Sequence, residues 1–289
     1  MTFSILKNRD PETRSLPRMS VRSKNWMDDA ARAFENAGCC VVEDVLSNDF
    51  VAQASEALYL VEEKILAEIG IDRLNRAGEV GVLRLMQKHH PVFIQFLEIA
   101  AALELIDRIL APTAIQHTQN GFILPSLPPD ADAPDIFQMN FHQDFPRVLN
   151  GCLMSLNLYF SLSEFTNESG ATRVIPGSQQ IAARPSQEEI AELAVSAECP
   201  PGSMLVFDST LWHAAGSNRS GKDRLSVNHQ FTRSYIKQQL DYPRALGAEL
   251  IEGLAPRTQQ LLGFYTRVPA SLDEYYQPRE KRLYRAGQG

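Results

Sequence analysis

The sequence predicts an α+β protein in which a helical N-terminal part supports a β-rich core. Apolar residues recur at helical spacing through most of the first 110 residues. After Pro112 the pattern changes to short runs of period two, separated by Gly, Pro and Asn. Many short strands at this spacing are typical of a barrel or a sandwich. The β-rich part is therefore expected to form the core, with the helices flanking it.

The N-terminal part begins with a polar segment, residues 1–24, which predicts a flexible arm. Gly38 follows an amphipathic segment and marks the end of a first helix. Ser47 and the two residues after it offer N-caps for a second helix. A β-branched run between these helices predicts a strand. The expected helices cover residues 25–38, 47–69 and 91–110, and the strand covers residues 39–45.

The β-rich part, residues 111–235, is expected to contain six strands, and two of them alternate clearly. In the first, one face carries Gln138, Asn140, His142 and Asp144. In the second, one face carries Arg224, Ser226, Asn228 and Gln230. A sheet with one solvated face explains either strand alone, whereas a small barrel with a polar interior explains both. The expected strands cover residues 113–124, 137–145, 151–162, 171–175, 202–209 and 223–235.

The remaining segments are connections and the C-terminal end. Residues 124–136 are rich in proline and aspartate, and we expect a long loop that covers a pocket. Residues 236–289 return to helix and coil as a C-terminal segment. Residues 25–289 are therefore expected to form a single domain, in which residues 25–110 are mainly helical support.

Composition excludes several classes of partner. The net charge of −7 argues against nucleic-acid binding and against a basic membrane-surface role. The longest hydrophobic stretch, 91–110, carries three acidic residues and predicts an amphipathic helix, not a membrane span. The four cysteines contain no CxxC pair, which favours a reducing compartment. We expect a cytoplasmic protein with a small-molecule substrate, and the oligomeric state stays open.

Two histidines and one aspartate are candidate metal ligands. His142 and Asp144 lie two residues apart, on one side of the expected strand. Such a tripeptide also arises by chance, but His213 follows a further strand-like run and could return to the same end of the barrel. Two imidazoles and one carboxylate leave three coordination positions open, as non-haem iron(II) oxygenases require. The remaining histidines have no comparable partner and are interpreted as surface or core residues: His89, His90, His117 and His229.

Arg224 follows His213 by eleven residues and lies on the polar face of its strand. A guanidinium there can bind a carboxylate through two parallel hydrogen bonds. An ordinary salt bridge is the alternative, because Asp208 and Asp223 are close in sequence. The residues by themselves leave both interpretations open.

Taken together, these segments resemble the phytanoyl-CoA dioxygenase family. The resemblance covers about residues 25–235. It implies a double-stranded β-helix, which is a jelly-roll or cupin-like barrel, with flanking N-terminal helices. It also implies an oxygenase that uses Fe(II), 2-oxoglutarate and O2, so that residues 25–289 would be a single catalytic domain. The matching segments are residues 34–38, 41–46, 142–144, 168–178, 201–213 and 224–228.

The resemblance also implies roles for individual residues. His142, Asp144 and His213 would be the iron ligands, and Arg224 would bind the distal carboxylate of 2-oxoglutarate. Tyr159 would lie beside the cosubstrate, with Ser226 assisting. Where the family usually has His after the Pro-Gly-Ser turn, this chain has Gln179, which removes no ligand.

The implied reaction is hydroxylation of a small organic substrate, with release of succinate and CO2. A secondary metabolite, an amino-acid derivative or an acyl compound would fit, and Arg147 and Arg173 are candidate contacts for an anionic one. Related halogenases lack the carboxylate, so Asp144 argues against halogenation. Desaturation, epoxidation, cyclisation or epimerisation at the same iron are alternatives. A non-catalytic carboxylate-binding barrel and a zinc hydrolase are further ones, although a zinc site would leave Arg224 without its natural partner.

Overall fold

The protein folds as a double-stranded β-helix with helices packed on one side. The structure, a computed structural model, describes residues 2–7, 15–128, 130–131, 137–146 and 151–288. Within these ranges, ten strands form a seven-stranded sheet, in the order β1-β2-β8-β5-β10-β4-β3, and a three-stranded sheet, in the order β7-β6-β9. The strands are β1 Arg18–Ser20, β2 Cys39–Glu43, β3 Val82–Arg84, β4 Ile115–Leu124, β5 Ser155–Ser161, β6 Arg173–Val174, β7 Val195–Ser196, β8 Met204–Asp208, β9 His213–Ala214 and β10 Arg224–Thr232.

The helices precede, interrupt and follow the sheets. The predicted end of the first long helix is confirmed, since Gly38 adopts φ 71°, a conformation that favours glycine. The predicted cap of the second is also confirmed, because the Ser47 side chain accepts a hydrogen bond of 3.2 Å from the Phe50 amide. The α-helices are α1 Phe3–Lys7, α2 Trp26–Ala37, α3 Asn48–Ile69, α4 Ile71–Ala77, α5 Val92–Gln95, α6 Ala100–Leu105, α7 Gln187–Leu193, α8 Tyr242–Leu246, α9 Ala248–Glu252, α10 Pro256–Leu261 and α11 Leu272–Tyr275.

The larger sheet separates two environments. On β5, Leu156, Leu158 and Phe160 are buried in the cluster that includes the helices. Their neighbours Asn157 and Tyr159 point to the opposite face, because side chains alternate along a strand. The second face packs against the smaller sheet through a separate buried cluster. One face of the sheet therefore holds the main apolar core, and the other faces the interior between the two sheets.

The N-terminal segment differs from the flexible arm that the sequence predicts. Phe3 and Leu6 of α1 are buried in a cluster with Ile190 and Leu193 of α7. Further along, β1 pairs in parallel with β2. Both elements are short, with five and three residues, so neither produces a periodic sequence signal. Residues 1 and 8–14 lie outside the described part of the chain.

The single helix predicted over residues 91–110 is wrong. The structure breaks it into α5, a 3-10 turn at Phe96–Glu98, α6 and a π-helical turn at Ile106–Leu110. Ile99 has an extended backbone between two of these pieces. Buried residues occur on more than one face here, including Val92, Phe93 and Ile94 in succession, so no single apolar stripe directs one straight helix. No helix among the described residues has the length and apolar character needed to span a bilayer.

The strand predicted over residues 137–145 is also wrong. Its start is a 3-10 turn, Phe137–Met139, and only His142 forms a β-bridge. The bridge consists of two backbone hydrogen bonds to His213, of 2.9 and 3.0 Å. This one pair of hydrogen bonds is enough to position His142. The alternating pattern therefore identified a residue of the site correctly, although no strand surrounds it.

Candidate metal and cosubstrate site

Three side chains converge at one end of the β-helix. The β-bridge aligns the backbones of His142 and His213, and their rings lie 4.3 Å apart between centroids. The Oδ1 atom of Asp144 lies 3.4 Å from Nε2 of His142 and 3.7 Å from Nε2 of His213. Ligand atoms from the three residues all fall within 4.8 Å of one another. This spacing suits a single metal ion held by two imidazoles and a carboxylate.

The backbone fixes both imidazole rings. Nδ1 of His142 lies 2.7 Å from the Asn140 carbonyl oxygen, and Nδ1 of His213 lies 2.9 Å from the Leu211 carbonyl oxygen. A carbonyl only accepts, so each Nδ1 carries the proton and donates. Each Nε2 is then left with a lone pair directed toward Asp144. This is the arrangement by which proteins orient a metal-binding histidine.

The electrostatics of His213 and Asp144 match the protonation states that metal binding needs. Burial lowers the pKa of His213 to about 4, so that ring is neutral near pH 7. Burial by itself would raise the pKa of Asp144, but His213 and His142, in their protonated forms, and a hydrogen bond from Asn157 together lower it. A neutral imidazole and an ionised carboxylate are the forms that bind metal.

Arg224 lies deeper in the same interior, at the start of β10. Its side chain is 2% exposed, and its guanidinium carbon lies 4.8 Å from the centroid of the Phe165 ring. One amino group donates to the Gly170 carbonyl, and the other donates to the Tyr159 hydroxyl at 3.2 Å. Ser226 donates to the same hydroxyl at 2.8 Å. The structure thus brings together all three residues that were predicted to contact the cosubstrate.

The charge of Arg224 has no anionic partner among the described residues. Its protein partners are neutral, and its Nε atom is buried without a hydrogen-bond acceptor. The salt-bridge alternative does not occur, because Asp223 accepts from the Tyr59 hydroxyl and Asp208 accepts from Thr210. Burying an unpaired charge is costly, so an anion is expected to complete the site. A dicarboxylate such as 2-oxoglutarate fits this requirement together with the ligand set at the metal site.

Sequence reasoning missed a network of polar side chains behind Asp144. Asn157, on β5, hydrogen-bonds Asp144 and also donates to the Ser209 hydroxyl at 2.7 Å. Asn228, on β10, donates to Asn157 Oδ1 at 2.9 Å. Asn228 had been placed on the correct face, but a lone asparagine in a strand gives no signal of its own. The missed residues are those that hold the carboxylate in position.

Other predicted residues lie outside this interior. Gln143 points away from the metal site, and its amide donates to the backbone carbonyls of Ile181 and Thr210. Arg173 lies on the opposite face of β6 from Val174, which pairs with His213. Its guanidinium carbon is 5.4 Å from the Phe141 ring centroid, which does not support a substrate contact. Arg147 lies outside the described residues.

The predicted loop over residues 124–136 is described in part. Arg219 donates to the backbone carbonyls of Pro128 and Ala131, at 3.1 and 2.8 Å. Residues 129 and 132–136 lie outside the described part. A cleft of about 970 Å³ lies elsewhere, and it is lined by α2, residues 151–154 and Phe145, which follows Asp144. Neither the three candidate ligands nor Arg224 line this cleft, so it neighbours the metal site without containing it.

Solved structures and curated relatives resemble this chain. EctD from S. alaskensis, solved with 2-oxoglutarate and 5-hydroxyectoine, is 23% identical and superimposes with a TM-score of 0.57. That match covers 79% of this chain and 81% of EctD. The uncharacterized protein Rv1501 of Mycobacterium tuberculosis is 55% identical, over 94% of this chain and 99% of its own length. The dioxygenase andF of Emericella variicolor is 30% identical, over 56% of this chain and 57% of its own length.

The fold and the site define a non-haem iron oxygenase of the 2-oxoglutarate-dependent type. The phytanoyl-CoA dioxygenase family profile matches residues 34–226, which is more than half of the chain. The chain belongs to that family, as the resemblance of its motifs predicted. Membership establishes the class of enzyme and leaves its organic substrate open.

Proposed function

We propose that this protein hydroxylates a small organic substrate at an iron held by His142, Asp144 and His213. Arg224 binds the distal carboxylate of 2-oxoglutarate, and Tyr159 and Ser226 form the polar surface around it. The observation that carries this proposal is the buried guanidinium, which has no anionic partner among the described residues and lies in the same interior as the three metal ligands. A zinc hydrolase would need only the metal ligands, and a metal-free binder would need only the buried guanidinium.

Each residue has a physical task in this scheme. Bound Fe(II) would react with O2, with 2-oxoglutarate giving up two electrons as it decarboxylates to succinate, and this would supply the oxidant that breaks a C–H bond of the substrate. The Asn140 and Leu211 carbonyls hold the two imidazole rings so that both Nε2 atoms face one point. Arg224 fixes the far end of the cosubstrate, which sets the distance from its keto acid end to the metal. The ring of Phe207 lies 4.7 Å from that of His213 and helps to exclude water.

Asp144 decides between hydroxylation and halogenation in this proposal. Its carboxylate would occupy the coordination position that a halide needs on the iron. The low pKa and the hydrogen bond from Asn157 keep the carboxylate ionised and directed at the metal. We therefore expect oxygenated products and no halogenated ones. Mass analysis of the product separates hydroxylation, which adds one oxygen, from desaturation or cyclisation, which removes two hydrogens.

Anaerobic absorption spectroscopy tests the proposed site directly. Adding Fe(II) and 2-oxoglutarate to the protein should produce a weak visible charge-transfer band, and His142→Ala should abolish the band and the release of succinate. Retained turnover in His142→Ala would refute the assignment of the ligands. Hydrolytic activity with Zn(II) and no band with Fe(II) would support the zinc alternative.

A further inference from the structure

His117 differs from the other histidines outside the metal site. It lies in β4, where the pairing with β10 shifts: Thr118 is opposite Gln230, and Gln116 is opposite Phe231. His117 is the extra residue of this β-bulge and has no partner on β10. A bulge turns a side chain away from the regular alternation, and bulges are frequent beside active sites.

Strand pairing places His117 near the metal site. Thr118, beside the bulge, pairs with Gln230, Gln230 pairs with Asn157 on β5, and Asn157 hydrogen-bonds Asp144. Burial lowers the pKa of His117, while a hydrogen bond with the Lys237 backbone and the charge of Asp144 partly oppose that effect.

His229 also lies in the larger sheet, on β10. It packs instead against Phe96 and Phe160 in the helical core. The two histidines therefore lie in different environments of the larger sheet.

One polar atom of His117 lacks a partner. Nδ1 is buried and makes no hydrogen bond with any residue that the structure describes. Leaving such an atom unpaired costs about 1–3 kcal/mol, so a partner that arrives with a ligand is the simplest explanation. Gln230, on the facing strand, does not supply this hydrogen bond, because its side-chain amide donates to the Ser155 hydroxyl at 3.0 Å.

We propose that His117 binds a hydroxyl group of the organic substrate through Nδ1, beside the iron. A neutral imidazole nitrogen either accepts or donates, depending on its tautomer, and a hydroxyl complements both cases. The proposal rests on the proposed function, since it places the substrate near the metal that Asp144 helps to hold. It replaces the interpretation of His117 as a surface or core residue.

Discrimination between matched compounds tests this proposal. The probes are pairs that differ by one hydroxyl, drawn from cyclic alcohols, hydroxy fatty acids and hydroxy amino acids. Succinate release above the substrate-free rate gives a relative kcat/KM for each member of a pair. The wild-type protein should prefer the hydroxylated member of at least one pair by about tenfold or more, which corresponds to one hydrogen bond of about 1.4 kcal/mol.

Two substitutions show whether His117 causes this preference. His117→Leu removes the polar atom, and the preference should fall toward unity. His117→Asn keeps a polar atom near the position of Nδ1, and part of the preference should remain. Because each variant is compared with itself on the two members of a pair, a general loss of activity does not mimic the effect. The anaerobic charge-transfer band shows that the iron site has assembled in each variant.

The outcomes separate this proposal from the proposed function. Absence of the band and of 2-oxoglutarate-dependent succinate release in the wild-type protein would refute the proposed function. Band and turnover without any preference in the whole panel would refute the role of His117 alone. Full preference in His117→Leu, or a crystal structure with substrate in which Nδ1 contacts only water, would refute it as well.

Discussion

At the scale of single residues, the site combines a group of metal ligands with a buried arginine that needs an anion. His142, Asp144 and His213 need a cation, and Arg224 needs an anion. Both needs are visible in the structure, as three converging ligands and as one buried guanidinium with neutral partners. The sequence predicted each residue, but the absence of a salt bridge to Arg224 required the structure.

Replacing Arg224 with Met should separate stability from cosubstrate binding. Removing one member of a buried, hydrogen-bonded charge pair costs about 2–5 kcal/mol, so 2-oxoglutarate should bind roughly 30-fold or more weakly. The free protein should be as stable as wild type or more stable, because an unpaired buried charge has been removed. Thermal unfolding at increasing 2-oxoglutarate concentration measures both effects in one experiment.

Ser226→Ala serves as the matched control for this substitution. Its hydroxyl reaches the same Tyr159 oxygen but carries no charge. Loss of a neutral hydrogen bond is worth about 0.5–1.5 kcal/mol, so affinity should fall by no more than about tenfold. Undiminished 2-oxoglutarate binding in Arg224→Met would show that the anion site lies elsewhere.

At the scale of elements, the turn at Gly170 holds the guanidinium in place. Gly170 has φ 76°, and its carbonyl accepts from Arg224. A Cβ atom there would lie 2.5 Å from the Gly216 carbonyl oxygen. The backbone of the turn therefore requires glycine for its conformation and for its close contact with the segment at residues 216–218.

Gly170→Ala should destabilise the protein and weaken 2-oxoglutarate binding together. The positive φ costs about 1–3 kcal/mol for a residue with a side chain, and the steric overlap adds to this. Gly221→Ala is the control, because Gly221 has φ 77° but a Cβ there meets nothing within 4 Å. Denaturant unfolding should show the larger loss for Gly170→Ala, with reduced cosubstrate affinity in that variant only. Equal losses would mean that the contact with Gly216 is unimportant.

The strands β5 and β10 also carry Asn157 and Asn228, which hold the Asp144 carboxylate in position. Asn157→Ala removes the hydrogen bond to Asp144 and the link to Asn228. Loss of a partner that orients a ligand typically weakens metal binding about 10- to 100-fold. Ser161→Ala is the control on the same strand face, since Ser161 bonds to the backbone of Pro200 and Ser203. Titration with Fe(II) or Co(II) under anaerobic conditions compares the two, and equal affinity would remove Asn157 from the site.

These elements show what the sequence can predict. Strong local signals, such as Ser47 and Gly38, placed α2 and α3 to within one or two residues. The position of His142 followed from its spacing to Asp144, even though the predicted strand around it does not exist. Asn157 and His117 were missed as site residues because their roles depend on pairing between strands and on a bulge, which are contacts between distant parts of the chain.

At the scale of the whole molecule, the two faces of the larger sheet have different roles. The outer face packs on the helices and supplies most of the buried apolar contacts. The inner face carries polar side chains and the candidate site. His229 and His117 illustrate the division, because one lies among aromatic rings and the other, by strand pairing, near the metal site. The stability of the helical core should therefore respond to pH independently of the metal site.

His229 is the residue through which the stability of the helical core is expected to depend on pH. Burial lowers its pKa to about 3, and its Nε2 atom lies 2.7 Å from the amide nitrogen of Gln119, which also donates to the Phe93 carbonyl. The neutral ring accepts from that amide, whereas the unfolded chain takes up a proton near the usual pKa of 6.5. The unfolded state then binds more protons, so stability is complete above pH 6.5 and falls as the pH drops toward 3.

His229→Gln should flatten this dependence on pH. A single such group contributes at most about 1.4 kcal/mol per pH unit to the free energy of unfolding, so two units below pH 6.5 give up to about 2.7 kcal/mol. Urea unfolding of the metal-free protein at pH 7.5, 6.5, 5.5 and 4.5 measures the slope in each variant. His89→Gln, which changes a half-buried histidine of the helical part, is the control and should retain more of the slope. Identical slopes in the wild-type protein and in His229→Gln would show that His229 does not couple the helical core to pH.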